Sequence, residues 1–166
     1  MKRFDELHKI LIAVEESRYS ERVASYGYAM AKKLGAVVAL VHVSDVPVST
    51  PYVTDPLLNE PPVVMPEVME TQDETSKKFL QTIADLYGEG VSTYTFHKLG
   101  NPKEEILLTA EEWGADLIIV GTHGRTGFDH FISGSVAEKV ARKAKVPVLV
   151  VPNKENNPGQ ATGEAQ

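Results

Sequence analysis

A glycine-rich stretch, GTHGRTGFDHFISGSV, has the residue types and spacing of a phosphate-binding loop. Gly121 and Gly124 are three residues apart, and after nine further residues come Gly134 and Ser135. Glycines allow a backbone to approach a phosphate closely, and free amides at a helix N-terminus favour an anion. Ser135 adds a hydroxyl group and Arg125 adds a local positive charge. The stretch is therefore a candidate phosphate-binding site.

The same residues also permit a purely structural interpretation. Glycine after a strand is often a turn residue, and Ser135 with Glu138 fits a capping box that only begins a helix. His123, Asp129 and His130 are conceivable acid or base groups, yet no nucleophile is paired with them in the sequence. The spacing by itself leaves both the phosphate-binding and the structural alternatives open.

The sequence excludes several other classes of site. It contains no G-x-x-x-x-G-K-[ST] loop, and no G-x-G-x-x-G follows the first predicted strand, so the P-loop and the dinucleotide-binding fingerprint are absent. It contains no cysteine, which excludes disulfides, thiol nucleophiles and iron–sulfur clusters. The histidines lack metal-ligand spacing, and His42 and His97 are interpreted as strand-end residues.

Composition limits the partners that this chain can have. Its 166 residues suffice for one domain, which we expect over residues 1–152. The net charge of −6 argues against a nucleic-acid-binding surface, so any anion must be held locally. No apolar run approaches the roughly 18 residues that a membrane span needs. The N-terminal MKRFDELHKILIAV is too acidic for a signal peptide, and we expect a cytoplasmic location.

Short apolar runs predict strands that are covered on both faces, because their hydrophobicity is continuous rather than alternating. These runs are residues 10–14, 37–43, 116–121 and 146–151. The segment 91–98 instead alternates polar and aromatic residues, which predicts a half-exposed edge strand.

Helical patterns separate the predicted strands. Helices are predicted over 20–34, over 66–87, from Pro102 to Gly114, and from Ser135 to a point before Pro147. Regular alternation of strands and helices predicts an α/β fold: an open five-stranded parallel sheet with helices on both faces. The Pro-rich segment 46–66 is expected to be a flap, and the polar tail 153–166 is expected to be disordered.

The predicted strand order places the glycine-rich stretch at a binding position. If segment 91–98 is an edge, the order along the sheet is third, second, first, fourth, fifth. In such sheets ligands bind beyond the carboxyl ends of the strands, where the winding direction reverses. The loops that meet at this point are Glu15-Glu16-Ser17 and the stretch from Gly121.

Two segments of the chain resemble a known family. GTHGRTGFDHFISGSVAEKVARKAKVPVLVVP closely resembles the C-terminal signature of the universal stress protein family, and KILIAVEESRYSERVASYGYAMAKKLGA resembles that family's N-terminal strand and helix. The G-x2-G-x9-G-[ST] pattern marks the family's ATP-binding branch. The resemblance implies a Rossmann-like fold of the adenine nucleotide alpha hydrolase type. It implies ATP, ADP or AMP as the ligand, with Mg²⁺ as a candidate accompanying ion.

The resemblance also implies which residues surround the nucleotide. The implied positions are Ala13, Val14, Glu15, Val43, Gly121, Gly124, Arg125, Gly134, Ser135 and Val136. Gly121 would lie near the ribose, Val43 would contact adenine through its backbone, and the residues around Ser135 would surround the phosphates. Where the family usually has an aspartate, this chain has Glu15, which puts the ribose contact and the nucleotide preference in question.

The last strand predicts self-association. The run VPVLVV is apolar throughout, yet the predicted order places it at an edge, and an exposed apolar edge favours pairing with another strand. Pairing of two copies would bury both edges, and the resemblance likewise implies a homodimer through residues 146–151.

The residues and the resemblance together favour a dimeric, adenine-nucleotide-binding regulator or sensor of the stress response that acts through an unidentified protein partner. One alternative is a slow ATP hydrolase that uses the same cleft. A second alternative is a nucleotide-independent dimeric scaffold, and a third is a flavin-binding protein of flavodoxin type.

Overall fold

The computed structural model describes residues 6–46, 48–49, 63–64, 66–122 and 135–152, without the side chains at 48–49, 63–64 and 135. The strands are β1 (Lys9–Ala13), β2 (Val37–Ser44), β3 (Val48–Ser49), β4 (Val63–Val64), β5 (Thr93–Leu99), β6 (Leu117–Gly121) and β7 (Val148–Val151). The helices are α1 (Tyr19–Leu34), α2 (Pro66–Tyr87), α3 (Pro102–Trp113) and α4 (Ser135–Lys143).

Five strands form one parallel sheet in the order β5-β2-β1-β6-β7. Ile12 of the central strand β1 lies opposite Leu40 of β2 and Ile119 of β6. Counted along the chain, these strands are the third, second, first, fourth and fifth of the sheet. The predicted fold class and strand order are therefore confirmed, and the winding direction reverses at β1.

Helices cover both faces of this sheet, as the continuous apolar strands predict. On one face Ile10 and Ile12 belong to a core with residues of α1 and α2, including Tyr28 and Leu80. On the other face Leu11 packs in a second core that contains residues of α3 and α4. Successive side chains of β1 thus enter different cores, so both of its faces are buried.

The helix ends follow the sequence signals. Gly35 and Gly114 follow α1 and α3 with φ values of 64° and 72°, a left-handed conformation that favours glycine. At the start of α3, the side chain of Asn101 accepts a hydrogen bond from the amide of Lys103 at 3.0 Å. Pro102 is the first residue of that helix, where its missing N–H costs no hydrogen bond.

The two edges of the sheet differ in character. β5 is half exposed, as predicted, and Tyr94 is 53% exposed, although the strand covers Thr93–Leu99 rather than 91–98. β7 pairs with β6 alone among the described strands, and Val150 is 36% exposed on this apolar edge. Among the described strands, each outermost strand of the predicted order thus has one neighbour.

Part of the Pro-rich segment 46–66 forms structure that the sequence did not predict. β3 and β4 pair in antiparallel orientation, with Val48 opposite Val64 and Ser49 opposite Val63. Most of the remaining positions of this segment, and the predicted tail 153–166, lie outside the described residues.

Asp116 fixes the amino end of the central strand. Its carboxylate oxygen Oδ2 accepts hydrogen bonds from the amides of His8 (2.9 Å) and Lys9 (3.0 Å). The amide of Asp116 in turn donates to the carbonyl of Lys9 at 2.8 Å. The start of β1 is therefore held by three hydrogen bonds at the end of the sheet opposite to the predicted site.

Candidate functional site

A cavity of about 310 Å³ lies at the carboxyl ends of β1, β2 and β6. This is the position at which the strand order reverses, where open α/β sheets bind ligands. Its walls are largely apolar: Val41 and Val120 come from the sheet, Val23 from α1 and Ile106 from α3. Apolar walls with a few polar groups are typical of small-molecule sites.

Six of the ten predicted site residues line this cavity. They are Ala13, Val14, Glu15, Val43, Gly121 and Val136. Ser135 is the first residue of α4, and its side chain is not described. Gly124, Arg125 and Gly134 lie outside the described residues. The structure therefore brings together residues from four separate segments of the chain, while the contacts of the glycine-rich loop itself stay a prediction.

The first turn of α4 borders the cavity through Val136 and Ala137. The free amides of such a turn carry partial positive charge, equivalent to roughly half an elementary charge for the whole helix end. Lys143 and Arg142 lie in the last turn, which is the favourable end for cations. This end of the cavity is therefore suited to an anionic group.

The loop after β1 is closed by hydrogen bonds of Glu15. Its amide donates to Oγ of Ser20 at 2.7 Å, and the Ser20 hydroxyl donates to its carbonyl. Its carboxylate oxygen Oε1 accepts from Oγ of Ser17 at 2.9 Å. Glu15 thus lines the cavity with its carboxylate already hydrogen-bonded within its own loop, a consequence that the sequence did not reveal.

Two histidines stack beside the cavity. His42 of β2 and His97 of β5 lie opposite each other in the strand register, and their rings are 6.0 Å apart with planes inclined by 15°. Nδ1 of His42 donates to the carbonyl of Val14 at 3.0 Å, because a carbonyl can only accept. The prediction that these histidines are strand-end residues agrees with their positions two residues before the ends of β2 and β5, but the sequence did not predict their hydrogen bonds.

A hydrogen-bonded chain connects these histidines to α2. Oγ of Ser44 lies 3.3 Å from Nε2 of His42 and 3.1 Å from Nε2 of His97. Nδ1 of His97 donates to Oδ1 of Asp73 at 2.7 Å. Nζ of Lys77 lies 2.6 Å from Oδ2, the other carboxylate oxygen of Asp73. Hydrogen bonds from Lys77 and from His97 lower the pKa of the Asp73 carboxyl group.

Gln72 of α2 also lines the cavity. Its side-chain oxygen Oε1 is buried and has no hydrogen-bond partner among the residues that the structure describes. The sequence analysis did not identify this residue. A usable signal existed, since Gln72 is four and eight residues before the buried Ser76 and Leu80, and so belongs to the stripe of α2 that faces the sheet.

The Universal stress protein family model matches residues 6–152. The chain belongs to this family. The universal stress protein MJ0531 of Methanocaldococcus jannaschii is 36% identical over 149 residues, which are 89% of this chain and 84% of that relative. The family suggested by the sequence resemblance is thereby confirmed.

Solved structures support the same fold. The hypothetical protein MJ0577 of Methanocaldococcus jannaschii has a TM-score of 0.72 at 28% identity, covering 90% of this chain and 98% of its own. A universal stress protein of Archaeoglobus fulgidus, solved in complex with dAMP, has a TM-score of 0.56 at 25% identity and covers 86% of this chain and 96% of its own. The second of these neighbours therefore binds an adenine nucleotide.

Two kinds of feature are absent from the described part of this universal stress protein. No group of three or more His, Asp or Glu side chains there is arranged to hold a metal ion. No helix in the described ranges is both long and apolar enough to cross a bilayer.

Proposed function

We propose that this universal stress protein binds an adenine nucleotide, with ATP, ADP or AMP as the ligand, in the cavity at the end of β1. The observation that carries the proposal is the meeting of the ends of β1, β2 and β6 with the first turn of α4 around one space of about 310 Å³. The Archaeoglobus fulgidus relative solved with dAMP supports the choice of an adenine nucleotide.

The order of the strands suggests how the nucleotide lies. β2 and β6 flank β1 on opposite sides, so Val43 and Gly121 stand at opposite sides of the cavity. The first turn of α4 follows β6 in the chain and borders the cavity through Val136, and its amides favour phosphate. We therefore place the phosphates at the β6 side and the base at the β2 side.

The glycine-rich loop completes this proposal. Gly124, Arg125 and Gly134 would surround the phosphates together with Ser135, as the family resemblance implies. Mg²⁺ in nucleotide sites is commonly held by phosphate oxygens, waters and one or two carboxylates, so a bound ATP would itself supply part of the ligand set. The cytoplasmic location and a role in the stress response that involves a protein partner belong to the same proposal.

Two copies of the chain would pair through β7. The exposed Val150 lies on a strand that has a single described neighbour, and its free edge offers backbone groups to a second chain. A twofold axis at this edge would extend each sheet into the other.

Mass spectrometry of the small molecules released by denaturing freshly purified protein tests the binding proposal. We expect ATP, ADP or AMP in this fraction, and calorimetry should detect MgATP binding. Val136→Glu places a carboxylate beside the phosphates and should weaken binding at least about tenfold, since like charges repel. Val68→Glu, on an exposed position of α2 outside the cavity, is the matched control.

The proposal fails if no nucleotide is released and no heat is detected with millimolar MgATP. Release of phosphate in the same samples tests the alternative of a slow ATP hydrolase. Turnover that persists through rigorous purification and disappears in Val136→Glu would favour that alternative, whereas turnover that ignores this change would indicate a contaminating enzyme.

A further inference from the structure

We propose that Gln72 determines the base specificity of the site by hydrogen bonding to the edge of adenine. This inference rests on the proposed function. It assigns a role to a residue of α2, an element that the glycine-rich motif and the end of β1 do not include.

The first argument is the unpaired oxygen of Gln72. Oε1 is buried at the cavity and lacks a partner among the described residues, although a buried carbonyl oxygen normally accepts a hydrogen bond. Leaving such an atom unpaired costs free energy, and a ligand that donates a hydrogen bond to it recovers that cost. The atom therefore favours a ligand with an N–H or O–H group at this position.

The second argument is that α2 is held to the sheet immediately after Gln72. The next residue, Asp73, accepts the hydrogen bond from His97, and Ser76, one turn later, lies 3.4 Å from Oγ of Ser44. These contacts hold the helix against β2 and β5. The amide is therefore presented to the cavity by a rigid element, which lowers the entropic cost of using it for recognition.

The third argument concerns the other polar groups at the β2 side. Nδ1 of His42 donates to Val14, and Oγ of Ser44 is shared between the two imidazoles. Glu16 and Asp45 line the cavity as well, but both residues are exposed. Among the described side chains that line this side of the cavity with buried polar atoms, Gln72 is therefore the one with an unused hydrogen-bonding atom.

The chemistry of the amide fits adenine. Its oxygen accepts from the exocyclic amino group at N6, while its NH₂ donates to the neighbouring ring nitrogen, the two-point pairing that glutamine makes with adenine in other complexes. Hypoxanthine carries an oxygen at the same place, which accepts but does not donate. An inosine nucleotide would therefore leave Oε1 unpaired and bring two acceptors together.

Calorimetric titration with ATP and ITP tests the assignment. We expect the wild-type protein to bind ATP at least about tenfold more tightly than ITP, the discrimination that a two-point contact typically gives. Gln72→Leu should weaken ATP binding about tenfold and leave ITP binding within about twofold, so that the preference disappears. Gln72→Glu keeps an acceptor for N6 and repels the oxygen of hypoxanthine, so it should keep the preference for ATP.

Gln81→Leu is the matched control, because Gln81 lies on the same helix and is exposed, with its amide donating to Asp85. It should leave both affinities unchanged. If ATP binds but the ratio of the two affinities is the same in Gln72→Leu as in the wild type, or if the wild type does not discriminate, the assignment of Gln72 is wrong while the proposed function stands. If neither nucleotide binds the wild type, the proposed function fails together with this inference.

Discussion

Nδ1 of His97 donates a hydrogen bond of 2.7 Å to Oδ1 of Asp73, and this contact joins an edge strand of the sheet to the helix that lines the cavity. The imidazole is almost fully buried, with 3% of its side chain exposed, whereas 40% of the aspartate side chain is exposed. The partly exposed carboxylate of Asp73 is thus connected, through the buried imidazole of His97, to the hydroxyl group of Ser44.

This contact predicts an acid-dependent part of the stability. Hydrogen bonds from Lys77 and His97 lower the pKa of Asp73 below 3.8, its ordinary value. The stabilisation is therefore complete above that value and is lost as the pH falls through the lower pKa of the folded state. Asp73→Asn should flatten the acid end of a plot of unfolding free energy against pH. Lys77→Met removes one of the two donors and should reduce the acid dependence of the unfolding free energy only in part. An unchanged slope in Asp73→Asn would contradict this account.

A second prediction concerns the close approach of α1 to β1 at Gly27. A Cβ atom added there would overlap Cδ1 of Ile12, lie 2.9 Å from its Cγ1 and lie 3.4 Å from Cδ1 of Ile119. Both isoleucines are almost fully buried, so they have little room to move. Gly27→Ala should destabilise the protein by about 1–3 kcal/mol, measured by urea denaturation. Ser25→Ala, on the exposed side of the same helix, should stay within about 0.5 kcal/mol.

A third prediction applies at alkaline pH. Burial raises the pKa of Tyr28 above 10.0, and the hydrogen bond with Thr93 acts in the opposite direction. Because the folded state favours the neutral phenol, the stabilisation is complete below 10.0 and is lost as the pH rises through the folded-state pKa. Tyr28→Phe should cost about 1 kcal/mol at neutral pH, since the hydroxyl contact with Thr93 is lost, and should reduce the alkaline loss of stability.

Tyr87 limits the size of that reduction. Burial and the neighbouring Glu21 raise its pKa as well, so some alkaline dependence should remain in Tyr28→Phe. Tyrosinate absorbance followed during the titration separates the two phenols. An alkaline unfolding curve that Tyr28→Phe leaves identical to that of the wild type would exclude a role for Tyr28.

A fourth prediction tests the proposed dimer. Val150→Lys places a charge on the apolar edge strand β7, where two copies would bring two lysines together. Sedimentation should show a dimer for the wild type and a monomer for this variant. Leu108→Lys changes an exposed residue of α3 and should leave the dimer intact. A variant dimer as stable as that of the wild type would place the interface elsewhere.

The sheet order was predictable because the strands carry different burial signatures. Mostly continuous apolar sequence characterises β1, β2 and β6, which predicts burial on both faces. Polar and aromatic residues alternate in β5, which predicts an edge strand. The helix ends were also predictable from the sequence. Gly35 and Gly114 end helices, and Asn101 begins one, through local backbone conformation and capping. By contrast, β3 and β4 are two residues each, too short for any hydrophobic period to appear.

The candidate site was only partly predictable. The strand order predicted the position of the cavity, because ligands in open parallel sheets bind where the winding direction reverses. The part assigned to the glycine spacing stays a prediction, since Gly124 and Gly134 lie outside the described residues. The polar chain through His42, Ser44 and His97 was not predictable, since it depends on side chains that the parallel register brings together from distant positions. Gln72 was not predicted for a related reason. A polar residue on the sheet-facing side of a helix is recognised as a site residue only once its neighbours are known to be buried.

The two ends of β1 differ in how freely their side chains can be substituted. At the amino end, the carboxylate of Asp116 accepts hydrogen bonds from the amides of His8 and Lys9. A substitution of this carboxylate removes the acceptor of two amides at once, so divergence there is opposed by stability. At the carboxyl end, the hydroxyl of Ser20 closes the loop by bonding to backbone atoms of Glu15, and any residue except proline at position 15 supplies the same backbone atoms. Relatives can therefore diverge in ligand preference at one end of this strand while the other end preserves the fold.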